Sequence, residues 1–199
     1  KMQNTNSSSP PKDTEVFILL DKSGSMKETW NITVEGIKGF IEELKTTDGN
    51  VFISLATFSD ECKLIINHKS LNDFNHDTIS EVVVAGMTAL DDSIINCLST
   101  FEEILEKQLF TTNSNVIFMI ITDGYENASQ LHDRNYVRKE ITKRKKLMKW
   151  KFMFIGANID AIKTANVYGI YQESAIQYSQ NTEGISNVFR SASDLINQV

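Results

Sequence analysis

The sequence predicts an α/β protein: a doubly wound, mainly parallel sheet of six strands, with one antiparallel edge strand and helices on both faces. Apolar runs of strand length alternate along the chain with amphipathic stretches of helical periodicity. The runs at residues 16–20 and 116–121 contain no polar residue, which is typical of parallel strands buried on both faces. Only residues 59–61 separate the second and third strands, so these two are expected to form an antiparallel hairpin at an edge of the sheet.

The predicted elements follow one another in a regular order. Helical stretches follow the first strand, precede the fourth strand and separate the later ones, and a last helix closes the chain. The strands are expected at residues 16–20, 51–58, 62–67, 116–121, 152–155 and 175–178, and the helices near residues 32–44, 94–105, 133–149, 160–168 and 182–197.

The length of the chain predicts one domain, because 199 residues can enclose one sizeable hydrophobic core. Residues 1–13 contain Asn, Ser and a Pro pair with almost nothing to bury, so they are expected to form a disordered leader. The Lys1-Met2 start suggests that this leader is partly a remnant of expression. Residues 14–199 are expected to form the single domain.

Neither a membrane span nor a signal peptide is visible in the sequence. No apolar run approaches the roughly 20 residues that cross a bilayer, and no basic segment precedes an apolar stretch near the start. Cys62 is expected on a strand and Cys97 inside a helix, each as a small buried side chain, which favours a reducing compartment. We therefore expect a cytoplasmic protein, and leave open whether a signal peptide has been removed.

The charge of the chain is unevenly distributed. The net charge is −6, yet residues 138–151 contain eight basic side chains and one acidic side chain, Glu140. The apolar residues of this stretch fall on one helical stripe, so the basic residues are expected to form a solvated helix face. Contact of this face with nucleic acid or an acidic partner is the alternative. The acidic balance of the whole chain argues against a dedicated nucleic-acid-binding protein.

Three polar segments lie where strands end or helices begin. In doubly wound sheets, ligands bind outside the carboxyl ends of the strands. Asp21 and Asp123, which follow the two wholly apolar runs, are expected there side by side, about one strand spacing or roughly 5 Å apart. The three segments are Asp21-Lys22-Ser23-Gly24-Ser25, Gly86-Met87-Thr88-Ala89 and Thr122-Asp123-Gly124.

The side chains of these segments predict a site for a divalent cation. Two neighbouring carboxylates repel each other, and a cation between them removes this repulsion. Carboxylate and hydroxyl oxygens suit Mg²⁺, and also Mn²⁺ or Ca²⁺, whereas the segments contain no Cys or His to favour zinc. Two acidic side chains leave the coordination of such an ion incomplete. Water, or an acidic residue of a protein partner, is expected to fill the remaining position.

The order and spacing of these segments resemble the metal-ion-dependent adhesion site of von Willebrand factor A domains, the vWA family. The shared elements are D-x-S-x-S, a Thr in a G-x-T-A-L setting and the Asp of a T-D-G turn. The sequence is also similar to stand-alone bacterial members of this family, over roughly residues 14–199. The segments that carry this second likeness are residues 88–92 (TALDD), 122–129 (TDGYENAS) and 154–158 (FIGAN).

The resemblance implies a Rossmann-like vWA fold and a role for each residue of the site. Ser23 and Ser25 would bind the metal directly through their hydroxyls. Thr88 would bind it directly when a ligand is present and through water otherwise. Asp21 and Asp123 would act largely through water, which leaves the metal free to take a Glu or Asp of a protein partner.

A rim around the metal is expected to meet the partner. Lys22, Met26 and Trp30 are the residues placed there, and an exposed Trp at such a rim is typical of a partner anchor. Packing of Trp30 in the core is the alternative. In the family, Gly24 and Gly86 permit tight turns in the site segments, which the conformational freedom of glycine explains.

Each site residue also has a simpler interpretation. Asp and Ser before a helix commonly satisfy free backbone amides, which would explain the first segment. Thr88 would cap the helix that follows it, a role also assigned to Asp92, and Asp123 would belong to an ordinary Asp-Gly turn. The coincidence of all three segments favours the metal site.

Two other classes of function are alternatives to a binding module. A structural or assembly component would share the fold but have a vestigial site. A metal-dependent hydrolase would need a general base or a nucleophile near the metal, and apart from Lys22 the three segments contain no His, Cys or Lys. The chain also lacks the G-x-S-x-G and G-x-x-x-x-G-K-[ST] motifs, so we expect no enzymatic activity.

Overall fold

The centre of the protein is a six-stranded sheet. The computed structural model describes residues 12–108, 114–157 and 159–178. Its strands are β1 (Thr14–Asp21), β2 (Val51–Phe58), β3 (Cys62–Ser70), β4 (Asn115–Thr122), β5 (Lys151–Ala157) and β6 (Ala175–Tyr178). They lie in the order β3-β2-β1-β4-β5-β6, and every neighbouring pair is parallel except β2 and β3. The predicted mainly parallel sheet with an antiparallel edge strand is confirmed.

The edge strand β3 extends beyond its predicted end at residue 67, because a bulge lets it continue past a polar stretch. Its pairing with β2 shifts in register between Ile53 and Leu55. Near the shift, His68 takes a positive φ of 44°, and its N–H donates to Ser54 Oγ at 3.0 Å. The apolar alternation breaks here, so the sequence pattern ended the strand too early.

Helices cover both faces of the sheet, as predicted. They are α1 (Trp30–Leu44), α2 (Asp77–Ser80), α3 (Leu90–Lys107), α4 (Arg134–Lys143) and α5 (Ala161–Val167). The single turn of α2 is too short for its periodicity to show in the sequence. A π-helical turn at Arg144–Met148 replaces the predicted last turn of α4. The predicted helix at residues 182–197 and residues 1–11 of the predicted leader lie outside the described residues.

Two hydrophobic cores lie on opposite faces of the sheet, and β1 contributes to both. Val16, Ile18 and Leu20 face the core beneath α1, whereas Phe17 and Leu19 face the core beneath α3, α4 and α5. All five side chains are fully buried. A strand covered on both faces needs apolar side chains at successive positions. No helix within the described ranges is long and apolar enough to cross a membrane.

The basic stretch at residues 138–151 is only partly a solvated face. Arg144 is buried, and its guanidinium donates to the carboxylates of Glu102 at 2.8 Å and Glu140 at 2.7 Å. Lys145 Nζ donates to the Gly169 carbonyl at 2.8 Å. These two side chains hold the π-helical turn against neighbouring elements, so the prediction of a simply solvated face is wrong for them.

Two glycines differ in whether their position in the fold requires glycine. Gly86, in the loop before α3, has a φ of +95°, and a β-carbon there would overlap the Asp60 carboxylate. Its carbonyl accepts the Gly24 N–H at 2.9 Å. Gly39 lies inside α1, with open space around the position of its missing β-carbon. Only the first of these positions therefore requires glycine.

We expect Gly86→Ala to lower the free energy of unfolding by about 1–3 kcal/mol, because alanine adopts a positive φ only with strain. Gly39→Ala is the matched control, and it is expected to raise the free energy of unfolding by about 0.5–1 kcal/mol. Urea unfolding followed by circular dichroism measures both changes. Effects of the same sign in the two variants would contradict this account.

A buried carboxyl lies near the amino-terminal end of β1. The Glu15 side chain is fully buried, with Oε1 3.3 Å from His68 Nε2 and with Oε2 lacking a hydrogen-bond partner among the described residues. Burial, with the charge of Asp13, raises the pKa of Glu15 from 4.5 to about 8. Burial also lowers the pKa of His68. Because both shifts favour the neutral forms, we interpret the contact as a hydrogen bond between neutral groups rather than an ion pair.

The stability that Glu15 contributes to the domain is expected to fall as the pH rises from about 4.5 to about 8. Over this interval the folded protein binds more protons than the unfolded chain, because the pKa of Glu15 is higher in the folded state. Glu15→Gln mimics the neutral acid, so it should flatten this dependence and raise stability at the upper end by about 1–3 kcal/mol. Urea unfolding at several pH values tests this. A variant as sensitive to pH as the wild type would show that Glu15 is not responsible.

Candidate metal centre

The carboxyl ends of β1 and β4 meet at one edge of the sheet. The two strands are parallel neighbours, with Leu20 opposite Ile121. Asp21 is the last residue of β1, and Asp123 follows Thr122, the last residue of β4. Asp21 is fully buried and Asp123 is 5% exposed. The structure therefore brings both aspartates to the edge where the chain leaves the two strands in opposite directions.

Thr122 holds the two strand ends together. Its hydroxyl donates to Asp21 Oδ2 at 2.6 Å and accepts the Gly124 N–H at 3.1 Å. The other oxygen, Asp21 Oδ1, accepts the Ser23 N–H at 2.7 Å. Asp21 is thus fixed by one bond from its own loop and one from β4. Sequence reasoning missed Thr122, although its place in the T-D-G turn was the available signal.

The serines of the first segment form a chain of contacts that reaches Asp123. Ser25 Oγ donates to Asp123 Oδ1 at 2.6 Å, and Ser23 Oγ lies 3.1 Å from Ser25 Oγ. Ser23 precedes a 3-10 turn at Gly24–Lys27 but makes no side-chain capping bond, so the capping interpretation is wrong for this residue. Asp123 Oδ2 is buried and has no hydrogen-bond partner among the described residues.

Thr88, in the loop before α3, lies beside Gly124 and near Ser25. A β-carbon built on Gly124 would lie 3.2 Å from Thr88 Oγ1 and 3.4 Å from Ser25 Oγ. The hydroxyls of the first two segments therefore converge beside the third, and the structure brings all three segments together. Thr88 is not the N-cap residue of α3, since that position is Ala89.

The loop after β4 holds Thr88 in place. Asn127 Oδ1 accepts the Thr88 N–H at 2.9 Å, and the Asn127 N–H donates to the Thr88 carbonyl at 3.1 Å. Glu126 Oε2 accepts the Asp91 N–H at 2.7 Å, which satisfies a free amide in the first turn of α3. The TDGYENAS segment contains both side chains, but the sequence alone assigned them no contact.

Asp92 was expected to cap α3, and this expectation is wrong. Its N–H donates to Ser129 Oγ at 3.0 Å. Its carboxylate accepts the backbone N–H groups of Gln130, Leu131 and His132 at 2.8 to 3.2 Å. The side chain of Asp92 therefore reaches across to the loop after β4 and satisfies the amides of that loop, not those of its own helix.

Burial shifts both site carboxyls towards their neutral forms. Burial raises the pKa of Asp21; hydrogen bonds, chiefly from Thr122, oppose the shift, and the charge of Asp123 adds to it. Burial also raises the pKa of Asp123, against hydrogen bonds of which the one from the Ser25 hydroxyl is the largest. Both groups are therefore costlier to ionise than exposed carboxyls. A positive charge beside them would reverse these shifts.

The expected rim of the site is mostly buried. Met26 is fully buried and Trp30 is 7% exposed, and both pack in the core beneath α1, so placing them at the rim was wrong. Their spacing of four residues continues the apolar stripe of α1, which was the signal for a core position. Lys22 is half-buried, and its Nζ donates to Ser59 Oγ at 2.9 Å. Two large apolar side chains that lie beside site residues in sequence, Met87 and Tyr125, are exposed at 56% and 59%.

Comparison with known proteins gives one family and several similar folds. The sequence model of the von Willebrand factor type A domain matches residues 15–191. No curated protein sequence matches the chain. Proximal thread matrix protein 1 (PTMP1) from the mussel byssus, solved with a zinc-occupied MIDAS motif, has a TM-score of 0.70 at 16% identity, over 93% of this chain and 46% of that chain.

Two further structures share the fold at low identity. The von Willebrand factor type A structure from Catenulispora acidiphila has a TM-score of 0.65 at 11% identity, over 92% of this chain and 42% of that chain. Manganese-loaded TRAP protein from Plasmodium vivax has a TM-score of 0.61 at 15% identity, over 89% and 72%. This chain spans less than half the length of the mussel and Catenulispora chains. Because the family match runs from the start of β1 past the end of β6, the chain belongs to the von Willebrand factor type A domain family.

Proposed function

We propose that this vWA domain is a divalent-cation-dependent protein-binding module. Oxygen atoms of five residues would hold the cation, and a Glu or Asp of a protein partner would complete its coordination. Mg²⁺ is the proposed cation, with Mn²⁺ and Ca²⁺ as alternatives that also prefer hard oxygen ligands. The five residues are Asp21, Ser23, Ser25, Thr88 and Asp123.

The observation that carries this proposal is the missing hydrogen-bond partner of Asp123 Oδ2 among the described residues. This atom is buried, and no donor among the described residues reaches it, although Oδ1 of the same carboxylate accepts from Ser25. A buried carboxylate oxygen without a partner is costly, and such atoms in folded proteins are usually paired. A cation beside this atom would supply the missing partner and would offset the repulsion between Asp123 and Asp21.

The surrounding groups fit a hard cation. The hydroxyls of Ser25 and Thr88 flank Gly124, where the missing β-carbon leaves space between them. Across the described ranges, no cluster of three or more His, Cys, Asp or Glu side chains is placed to hold a metal, so hydroxyls are needed beside the two carboxylates. When bound, a divalent cation would attract a partner carboxylate. The zinc of the PTMP1 structure and the manganese of TRAP support a metal in this fold.

The partner surface is proposed to include Met87 and Tyr125. They adjoin Thr88 and, through Gly124, Asp123 in sequence, and both side chains are exposed. An aromatic or Met side chain beside a polar anchor is typical of protein interfaces. The favoured partner therefore presents an acidic residue with apolar neighbours.

The two alternative functions, a vestigial structural component and a hydrolase, have weaker support. A vestigial structural component would leave the buried Asp123 Oδ2 unexplained. A hydrolase would need a general base near the metal, and Lys22, the one Lys, His or Cys of the three segments, already donates from Nζ to Ser59 Oγ. The cytoplasmic location and the likeness to bacterial family members stay predictions.

Titration with Mg²⁺ or Mn²⁺ is expected to release or absorb heat. The ion should also raise the Tm by on the order of 5–10 °C when its concentration is about 100 times its Kd. Asp21→Asn and Asp123→Asn should abolish both effects and leave a folded domain, because each removes one of two crowded charges. Asp48→Asn is the matched control. That residue is exposed near the amino end of β2, and the variant should bind as the wild type does.

Calorimetry and thermal unfolding separate the possible functions. A wild-type domain that shows neither heat nor stabilisation would remove the metal from the proposal and favour the vestigial alternative. Loss of the far-ultraviolet circular dichroism signal in either aspartate variant would show that these side chains are needed for folding.

Capture of a protein partner is expected to depend on the cation. A pull-down with the immobilised domain should retain the partner in Mg²⁺ and release it with a chelator, because the partner carboxylate would bind through the ion. Asp123→Asn should lose the chelator-sensitive partner, and Asp48→Asn should keep it. Partner binding that is the same with and without chelator would contradict the proposed mode of binding.

A further inference from the structure

The two cysteines of the chain lie side by side. Cys62 is the first residue of β3 and Cys97 lies within α3, yet their Sγ atoms are 3.1 Å apart. Both belong to, or pack against, the core between the sheet and α3. The strand and helix positions were predicted correctly. Cys97 is buried as expected, whereas Cys62 is only partly buried. Packing of α3 against the edge hairpin brings the two sulfurs together.

We propose that Cys62 and Cys97 are an oxidation site, at which an intramolecular disulfide bond joins β3 to α3. A disulfide has an S–S distance of about 2.05 Å, so the sulfurs need to approach by roughly 1 Å. Rotation of the two side chains can supply a movement of this size. The chain contains no third cysteine that would compete for either partner.

The oxidant is a small-molecule disulfide of the oxidised glutathione class. The Cys62 thiolate attacks one sulfur of this molecule, forms a mixed disulfide and releases one glutathione thiolate. Cys97 then loses its proton to solvent, attacks Cys62 Sγ and displaces the second glutathione thiolate. The two protein thiols are oxidised to one S–S bond. Their two electrons and two protons convert oxidised glutathione into two molecules of glutathione.

The surroundings of the two thiols set the order of these steps. Cys62 is partly exposed and Cys97 is 1% exposed, so an oxidant in solution meets Cys62 first. The hydrogen bond with Cys97 lowers the pKa of Cys62, and the same contact, together with burial, raises the pKa of Cys97. Because the thiolate is the attacking species, Cys62 starts the exchange and Cys97 completes it.

The bond would close the chain between residues 62 and 97, a segment that includes Thr88. Closing a loop restricts the unfolded chain more than the folded one, so the bond is expected to stabilise the domain. It would also add a covalent link beside an existing polar one. The Ser59 carbonyl, in the turn before Cys62, accepts the Ala89 N–H at 2.9 Å.

Incubation of the whole chain in a glutathione redox buffer tests the proposal. Thiol counting in denaturant and intact-mass measurement should show that both thiols are lost without a gain of glutathione mass. The Tm should rise by on the order of 5–10 °C over the reduced protein. A reducing agent should reverse both changes. Retention of both thiols, a stable glutathione adduct as the main product, or a covalent dimer on a non-reducing gel would overturn the proposal.

Single substitutions test the order of the steps. Cys97→Ala is expected to accumulate the glutathione adduct at Cys62. Cys62→Ser should form an adduct at Cys97 at about one tenth of that rate or more slowly, since this remaining thiol is buried and protonated. Neither variant should show the oxidant-dependent rise in Tm. Faster modification of Cys97 than of Cys62 would overturn the assigned order, and the thiol count of the wild type tests the bond itself without either variant.

Discussion

Two carboxylates are held out of water where β1 and β4 end, and the rest of the site depends on this constraint. Asp21 ends a strand that is covered on both faces, and its side chain is fully buried. Thr122 and Ser25 supply hydroxyl donors to the two carboxylates. These donors leave Asp123 Oδ2 unsatisfied among the described residues. The fold thus keeps two carboxylates that are unfavourable to ionise at the edge where the chain leaves β1 and β4 in opposite directions.

At this edge the loop after β4 and the start of α3 satisfy each other's backbone groups. The loop after β4 provides acceptors for amides before and within the first turn of α3, through Glu126 and Asn127. In return, Asp92 of α3 binds three amides of that loop. The hydroxyl of Thr88 therefore does not depend on a free loop for its position. Side chains that are fixed in this way favour a site that is formed before any ligand arrives.

The sequence was sufficient for the features that periodicity or segment order encodes. Continuous apolar runs identified the buried strands, and three polar segments at strand ends identified residues that do converge. The sequence did not predict contacts between elements that are distant along the chain. No spacing relates Cys62 to Cys97, and Asp92 was assigned to its own helix because a local contact was the simplest expectation. Nearness to the site in sequence indicates a rim position for Met26 and Trp30, whereas the helical stripe that they share with Val34 indicates the core position that they occupy.

The hydrogen bonds that the Asp92 carboxylate accepts from the loop after β4 affect how this loop could bind another surface. Leu131 is 81% exposed, yet its N–H is bound by the Asp92 carboxylate at 3.2 Å. The backbone of this apolar side chain is thus immobilised while the side chain itself projects into water. A surface that docks against Leu131 would not need to order the loop first. Little conformational entropy would be lost at this position on association, so even a modest contact area would contribute to affinity.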